Sequence, residues 1–164
     1  MFAVFVVVLT LVRLVGLHLS VVDLFFDESQ YWAWAQAPAF GYFSKPPLLA
    51  WIIAAGSAVC GDTEACVRAA SPLFYFGTSL LVYAIADALY DRRVAFWSAL
   101  AVALMPGVVF SARIISTDVP LLFCWALALL AAGLVLASPP LRGGGVFGGA
   151  PGAGGAVQNT VASV

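Results

Sequence analysis

A chain of 164 residues that is 63% hydrophobic and only 9% charged lies outside the usual composition of a water-soluble domain, and its mean hydropathy of +1.05 points to an integral membrane protein. The net charge of -1 comes with no basic stripe able to neutralise phosphates along a duplex, which excludes nucleic-acid binding. Cys60, Cys66 and Cys124, with no second pair and no His beside Cys60 and Cys66, form neither a disulfide framework nor a structural zinc site; Cys60 and Cys66 are either bridged in an oxidising compartment or are two small residues flanking a turn.

Residues 2–22 form an apolar run of the roughly 20 residues that a membrane-spanning helix needs. No basic segment precedes it and no small-x-small cleavage site follows, so it reads as a span and not as a signal peptide. Arg13 interrupts it, and a charge at mid-membrane costs at least about 2.5 kcal/mol unless it is paired, so Arg13 is expected to face protein. His18 reads as a satisfied polar residue near the interface.

The loop from residue 23 to residue 66 concentrates the chemistry. Asp27 and Glu28 follow the apolar run directly, and residues 28–36 are predicted to form a short helix with Asp27 near its N-cap, where a carboxylate meets backbone N–H groups and the positive end of the helix dipole. Tyr31, Trp32, Trp34, Tyr42 and Phe43 suit the aromatic belt of a membrane interface. Residues 46–60 make an apolar helix of about 22 Å, short of the roughly 30 Å hydrocarbon core, so the segment is expected to lie along the interface or to re-enter. Residues 61–64 form a polar turn.

Further spans are predicted over about 67–90, 94–112 and 120–137, the third weakened by Pro106 and Gly107 and the fourth opened by Pro120 and capped by Thr117 or Asp118. Asp91, Arg92 and Arg93 make the basic turn between the second and third. If residues 46–60 do not cross, Arg92, Arg93 and Arg142 fall on the cytoplasmic side, as the positive-inside rule asks, and Asp27, Lys45 and Asp118 share the outer face. The expected fold is all-α: a polytopic membrane protein with about four transmembrane helices in residues 1–138, plus short juxtamembrane helices in the first outer loop. Residues 139–164 form a Gly-rich tail, expected to be disordered from about residue 142.

Two carboxylates and a lysine on one face suit transfer of a group from a phosphate leaving group to a hydroxyl. A carboxylate removes the acceptor proton while a cation meets the charge growing on the departing phosphate. A divalent metal on Asp27 or Glu28 is a further candidate, although carboxylates without His are a weak metal signal. Each residue also has a plain structural account: helix caps for Asp27 and Asp118, a snorkelling cation for Lys45.

Four blocks in order carry a resemblance: Asp27-Glu28-x-x-Tyr31-Trp32-x-Trp34; Gly41-Tyr42-Phe43-x-Lys45-Pro46-Pro47-Leu48-x-Ala50-Trp51; Gly61-Asp62 with Val67-Arg68; and Thr117-Asp118-x-Pro120-Leu121 with Phe123 and Trp125. Over about residues 5–137 the chain resembles the N-terminal part of glycosyltransferase families 39 and 83, the dolichyl-phosphate-mannose protein mannosyltransferase-like and aminoarabinose transferase-like members of the C-type superfamily. The resemblance implies a multi-pass enzyme of the bacterial inner membrane. It would take a sugar from a polyprenyl-phosphate carrier, within membrane lipid, and pass it with inversion to an unidentified acceptor at the periplasmic or exterior face. By carry-over, Asp27 and Asp118 are the catalytic acidic positions, Lys45 contacts the carrier phosphate, and Glu28 and Tyr31 belong to the substrate site. Relatives often place an acidic residue or a His where this chain has Ser44 before Lys45. They also continue through more spans, so a truncated and inactive product is one expectation, and the Gly-rich tail is unlike the family. A transporter piece, suggested by Arg13 and Asp87, and a non-catalytic membrane scaffold are the alternatives.

Overall fold

The computed structural model describes residues 2–137, which form eight helices and, among the described residues, no strand. They are α1 (Phe2–His18), α2 (Phe26–Ala35), α3 (Leu48–Cys60), α4 (Glu64–Arg68), α5 (Ala70–Leu89), α6 (Arg92–Leu104), α7 (Pro106–Ser111) and α8 (Asp118–Ala137). The tail expected to be disordered lies outside the described residues.

The centre of the bundle is α5, which packs against α1, α6 and α8. Phe2 and Val6 of α1 meet Ala99 of α6 and the α5 residues Phe76, Leu80 and Tyr83, while Val4, Val8, Leu11 and Val12 on its other side are exposed. Ala95, Ala99 and Ala103 lie on one stripe of α6 and are wholly buried, letting its backbone approach α5 closely. Gly77 serves α8 in the same way: a Cβ there would stand 2.6 Å from the Phe123 ring, which also packs edge-on against Phe74. In hydrocarbon there is no hydrophobic drive between helices, so such close approach supplies the packing. Two hydroxyls in the middle of α5 are satisfied along the helix, Thr78 Oγ1 donating to the Phe74 carbonyl at 2.9 Å and Ser79 Oγ to that of Tyr75 at 2.8 Å.

These contacts fix the direction of each long element. The start of α1 lies beside Tyr83 and Phe96, and its other end shares a cleft with Arg68 and Phe110. On α8, Asp118 shares a cavity with Tyr75, while Leu129 and Gly133 share one with Ile85 and Leu89. So α1 runs towards one end of the bundle, α5 back, α6 and α7 towards it again, and α8 back. That end gathers α2, α3, α4 and the 112–117 link; the Arg92 and Arg93 turn lies at the opposite one.

Two helical stretches, Glu64–Leu89 and Asp118–Leu136, are long and apolar enough to cross a membrane, whereas Phe2–His18 and Leu48–Cys60 are shorter apolar helices. Helix length and composition therefore leave two candidate spans where four were expected. The run 94–112 is not one helix: Met105 takes ψ 130°, because the residue before a proline is pushed out of the α region, and Pro106 then opens α7 at its N1 position. This break frees the Ala103 carbonyl, which accepts a 2.6 Å hydrogen bond from Arg13 Nη2. Arg13 thus faces protein, as expected, at the negative end of the α6 dipole.

Candidate active site

The site is assembled around a buried ion pair. Glu28 and Arg68 are 2% and 3% exposed and 40 residues apart in sequence. Arg68 Nη2 donates to Glu28 Oε2 at 2.6 Å and Nε to Oε1 at 3.0 Å, a two-pronged geometry that suits guanidinium and carboxylate. The remaining hydrogen-bonding capacity goes to backbone. Arg68 Nη1 reaches the Val22 carbonyl and Nη2 that of Asp23, both at 2.9 Å; Glu28 accepts the Phe25 N–H at 3.0 Å and the Ile115 N–H at 2.8 Å. One carboxylate and one guanidinium therefore join the 22–28 segment, the end of α4 and the link into α8. The pairing offsets the desolvation that burial imposes on both charges.

Asp27 does not cap α2. The helix begins two residues earlier than expected, at Phe26, with Phe25 extended as N-cap and Glu28, not Asp27, bonding the cap N–H. Asp27 sits in the first turn, exposed, where the dipole still favours a carboxylate. It lines a cleft of about 290 Å³ with Phe25, Glu28, Tyr31, Phe110 and residues 114–116. Tyr31 is buried and packs with Ala35, Leu49, Ile53, Val67 and Ile115, so it walls the cleft while holding α2 on α3.

Lys45 is carried by a loop stapled through aromatic contacts. Tyr42 stacks on Trp34 with centroids 4.9 Å apart, its hydroxyl accepts the Ala39 N–H at 3.0 Å, and Trp51 Nε1 donates to the Ala39 carbonyl at 3.0 Å. Of the expected interfacial belt, Phe43 is fully exposed, whereas Tyr31 is interior. Exposed Lys45 lines a cavity of about 390 Å³ whose other walls, Pro46, Leu48, Leu49, Pro120, Leu121 and Cys124 with Thr117, are almost entirely apolar.

Asp118 opens α8 and is exposed in a cleft of about 280 Å³ with Tyr75, Gly107, Val108, Ser111 and Leu121. The candidate residues thus gather at one end of the bundle around the start of α8, but in three adjoining cavities and not in one. Leu121 separates the Lys45 cavity from that of Asp118. Helix α7 divides Asp118 from Asp27, presenting Phe110 to one cleft and Ser111 to the other.

Cys60 and Cys66 are bridged, and the loop they close carries Gly61 at φ 91°, a left-handed conformation that favours glycine. In that loop Asp62 accepts Trp32 Nε1 at 3.3 Å, tying the bridge to α2. Among the described residues no group of His, Cys, Asp and Glu is placed to hold a metal ion, and Glu28 has already committed its oxygens. The donor set does not fit a divalent cation. Arg13 and Asp87 suggested a transport path, but Arg13 is bonded to the end of α6 and Asp87 is exposed near the end of α5.

A profile of the family described as dolichyl-phosphate-mannose-protein mannosyltransferase matches residues 44–163. The match includes Lys45 and Asp118, starts after Asp27, and extends through the Gly-rich residues that the sequence set apart from the family. The lipid A galacturonosyltransferase RgtD of Rhizobium johnstonii is 38% identical over 123 residues, covering 74% of this chain and 26% of its own length, so the chain spans about a quarter of that relative. No solved structure matches. The chain belongs to the dolichyl-phosphate-mannose-protein mannosyltransferase family, within the C-type glycosyltransferase superfamily.

Proposed function

We propose that this chain forms the carrier-binding and acceptor-activating end of an enzyme that moves a sugar from a polyprenyl phosphate to an acceptor hydroxyl at the outer face of a bacterial inner membrane. The bundle crosses the bilayer four times, through α1, α5, the α6–α7 pair and α8, with α3 lying along the interface and residues 23–66 outside. The observation that carries this reading is Lys45 beside an apolar cavity of about 390 Å³. A cation beside a hydrocarbon-lined space suits a phosphate joined to an isoprenoid.

In this reading Asp27, exposed in its own cleft, takes the proton of the acceptor hydroxyl. The acceptor oxygen bonds to the anomeric carbon from the side opposite the phosphate, inverting it. The carbon–oxygen bond to phosphate breaks, and the polyprenyl phosphate departs with the electron pair, its charge met by Lys45. Asp118, one residue wall away from the Lys45 cavity, orients the sugar or acceptor. Glu28 and Tyr31 serve the substrate site by holding α2, and hence Asp27, against the link into α8. The name of the Rhizobium relative makes a galacturonosyl donor and a lipid acceptor the first pair to assay.

The test is binding of a labelled polyprenyl phosphate by the purified chain in neutral detergent. Lys45→Ala is expected to weaken it about tenfold or more, the scale of one charge-assisted contact. Binding unchanged in Lys45→Ala removes the proposed carrier site.

A further inference from the structure

A fourth cavity at the same end of the bundle has no part in the reading above. It measures about 220 Å³ and is lined by Gly16, Leu17, Ser20, Val22, Phe25, Arg68, Phe110, Arg113 and Ile114. Phe25, Phe110 and Ile114 are shared with the Asp27 cleft, so the two are neighbours across a thin apolar wall. Arg68 is committed to Glu28, but the exposed Arg113 guanidinium and the Ser20 hydroxyl have no partner among the described residues.

The backbone that carries Arg113 is pinned on its far side. The Ile114 carbonyl accepts Ser71 Oγ at 2.6 Å, the Ile115 N–H donates to Glu28 at 2.8 Å, and the Arg113 N–H closes onto the Phe110 carbonyl at 2.9 Å. Burying an ion pair to hold this link leaves a free cation anchored beside a cleft, with little backbone entropy to lose when a ligand arrives. Within the cleft itself Arg68 is neutralised by Glu28 and Arg113 remains as the free cation, while Asp27 lies across the shared wall in the neighbouring cleft.

Resting on the transferase reading, we propose that this cleft receives a phosphate or carboxylate group borne by the amphiphilic acceptor, with Arg113 as its cation and Ser20 as a neutral donor. Arg113 is then a positioning residue that sets the acceptor hydroxyl against Asp27 next door. The cleft is smaller than the 300–1,000 Å³ usual for a whole small ligand, so it fits a headgroup substituent and not an entire acceptor. Its walls Leu17, Val22, Phe25 and Phe110 are apolar, and the segment leaving it exposes Leu19 and Val21, which suits a group attached to lipid better than a free ion.

The experiment titrates the full chain in neutral maltoside micelles with dodecyl phosphate and, separately, with inorganic phosphate, by calorimetry. All variants carry Lys45→Ala so that the carrier site is silent. Dodecyl phosphate is expected to bind, Arg113→Ala to weaken it about 10- to 100-fold, and Arg113→Lys to recover part of the loss. In a transfer assay with Lys45 intact, Arg113→Ala is expected to raise the KM for an anionic acceptor with kcat nearly unchanged. Dodecyl phosphate binding that ignores Arg113→Ala overturns the site, and inorganic phosphate binding as tightly as dodecyl phosphate overturns its lipid-borne ligand. Failure of the transferase reading looks different: Asp27→Asn and Lys45→Ala then leave transfer unchanged while the Arg113 effect on dodecyl phosphate persists.

Discussion

At the scale of single residues, the Glu28–Arg68 pair is the element whose loss reaches furthest. Both groups are buried and each also bonds backbone on separate segments, so removing one leaves the other charged, desolvated and unpaired. Glu28→Gln and Arg68→Met are each expected to destabilise by about 3–5 kcal/mol, the scale for breaking a buried pair. The double variant is expected to cost less than the sum of the two, because the uncompensated charge is removed along with its partner. It does not restore stability, since Gln keeps one acceptor oxygen for the two N–H groups of Phe25 and Ile115, and the Val22 and Asp23 carbonyls lose the donors of Arg68. Thermal unfolding of the four proteins in one detergent measures the cycle, and strict additivity would show that the two side chains do not interact.

At the scale of elements, the Cys60–Cys66 bridge fastens the end of α3 to α4, and through Asp62 it also fastens α2. A loop this short constrains the unfolded chain by about 2 kcal/mol, so replacing both cysteines with serine is expected to lower stability by that order. Reductant is expected to lower the unfolding temperature of the parent protein and leave the double-serine variant unmoved; a parent indifferent to reductant would mean that the bridge does not form. The elements themselves were mostly legible from sequence. Apolar runs gave the long helices, a length shortfall marked residues 46–60 as different, and Pro106 announced the break that separates α6 from α7. What the sequence concealed is pairing over distance. Glu28 and Arg68 stand 40 positions apart, and Arg68 reads locally as a charge at the head of an apolar run. The start of α2 was placed two residues late, because the cap is the extended Phe25 backbone with Glu28 bonding its N–H, a device that needs no polar side chain at the cap. That Asp27, Lys45 and Asp118 share one end followed from charge bias. That α7 and Leu121 partition them into separate cavities could not, since it depends on where Phe110, Ser111 and Leu121 point.

At the scale of the whole molecule, the question is which end faces which compartment. One end holds Asp27, Lys45, Asp118 and the bridged cysteines; the other holds Arg92 and Arg93 at the start of α6, where Asp91 accepts the Arg93 and Val94 N–H groups at 2.8 and 2.7 Å. Disulfides persist in oxidising compartments, and paired arginines in a short turn favour the cytoplasm, so two independent chemistries support the orientation proposed above. In the proposed orientation Arg113 falls on the outer end, against the charge bias, where a cation serving the proposed anion cleft would have to be. In a Cys124→Ser background, single cysteines at Arg92 and Asp118 report the orientation, since both positions are exposed. A membrane-impermeant maleimide added to intact cells is expected to label Asp118→Cys and to reach Arg92→Cys only after the membrane is opened. Labelling of Arg92→Cys from outside, with Asp118→Cys protected, would put the carboxylates in the cytoplasm and leave the proposed transfer at the outer face without its catalytic groups.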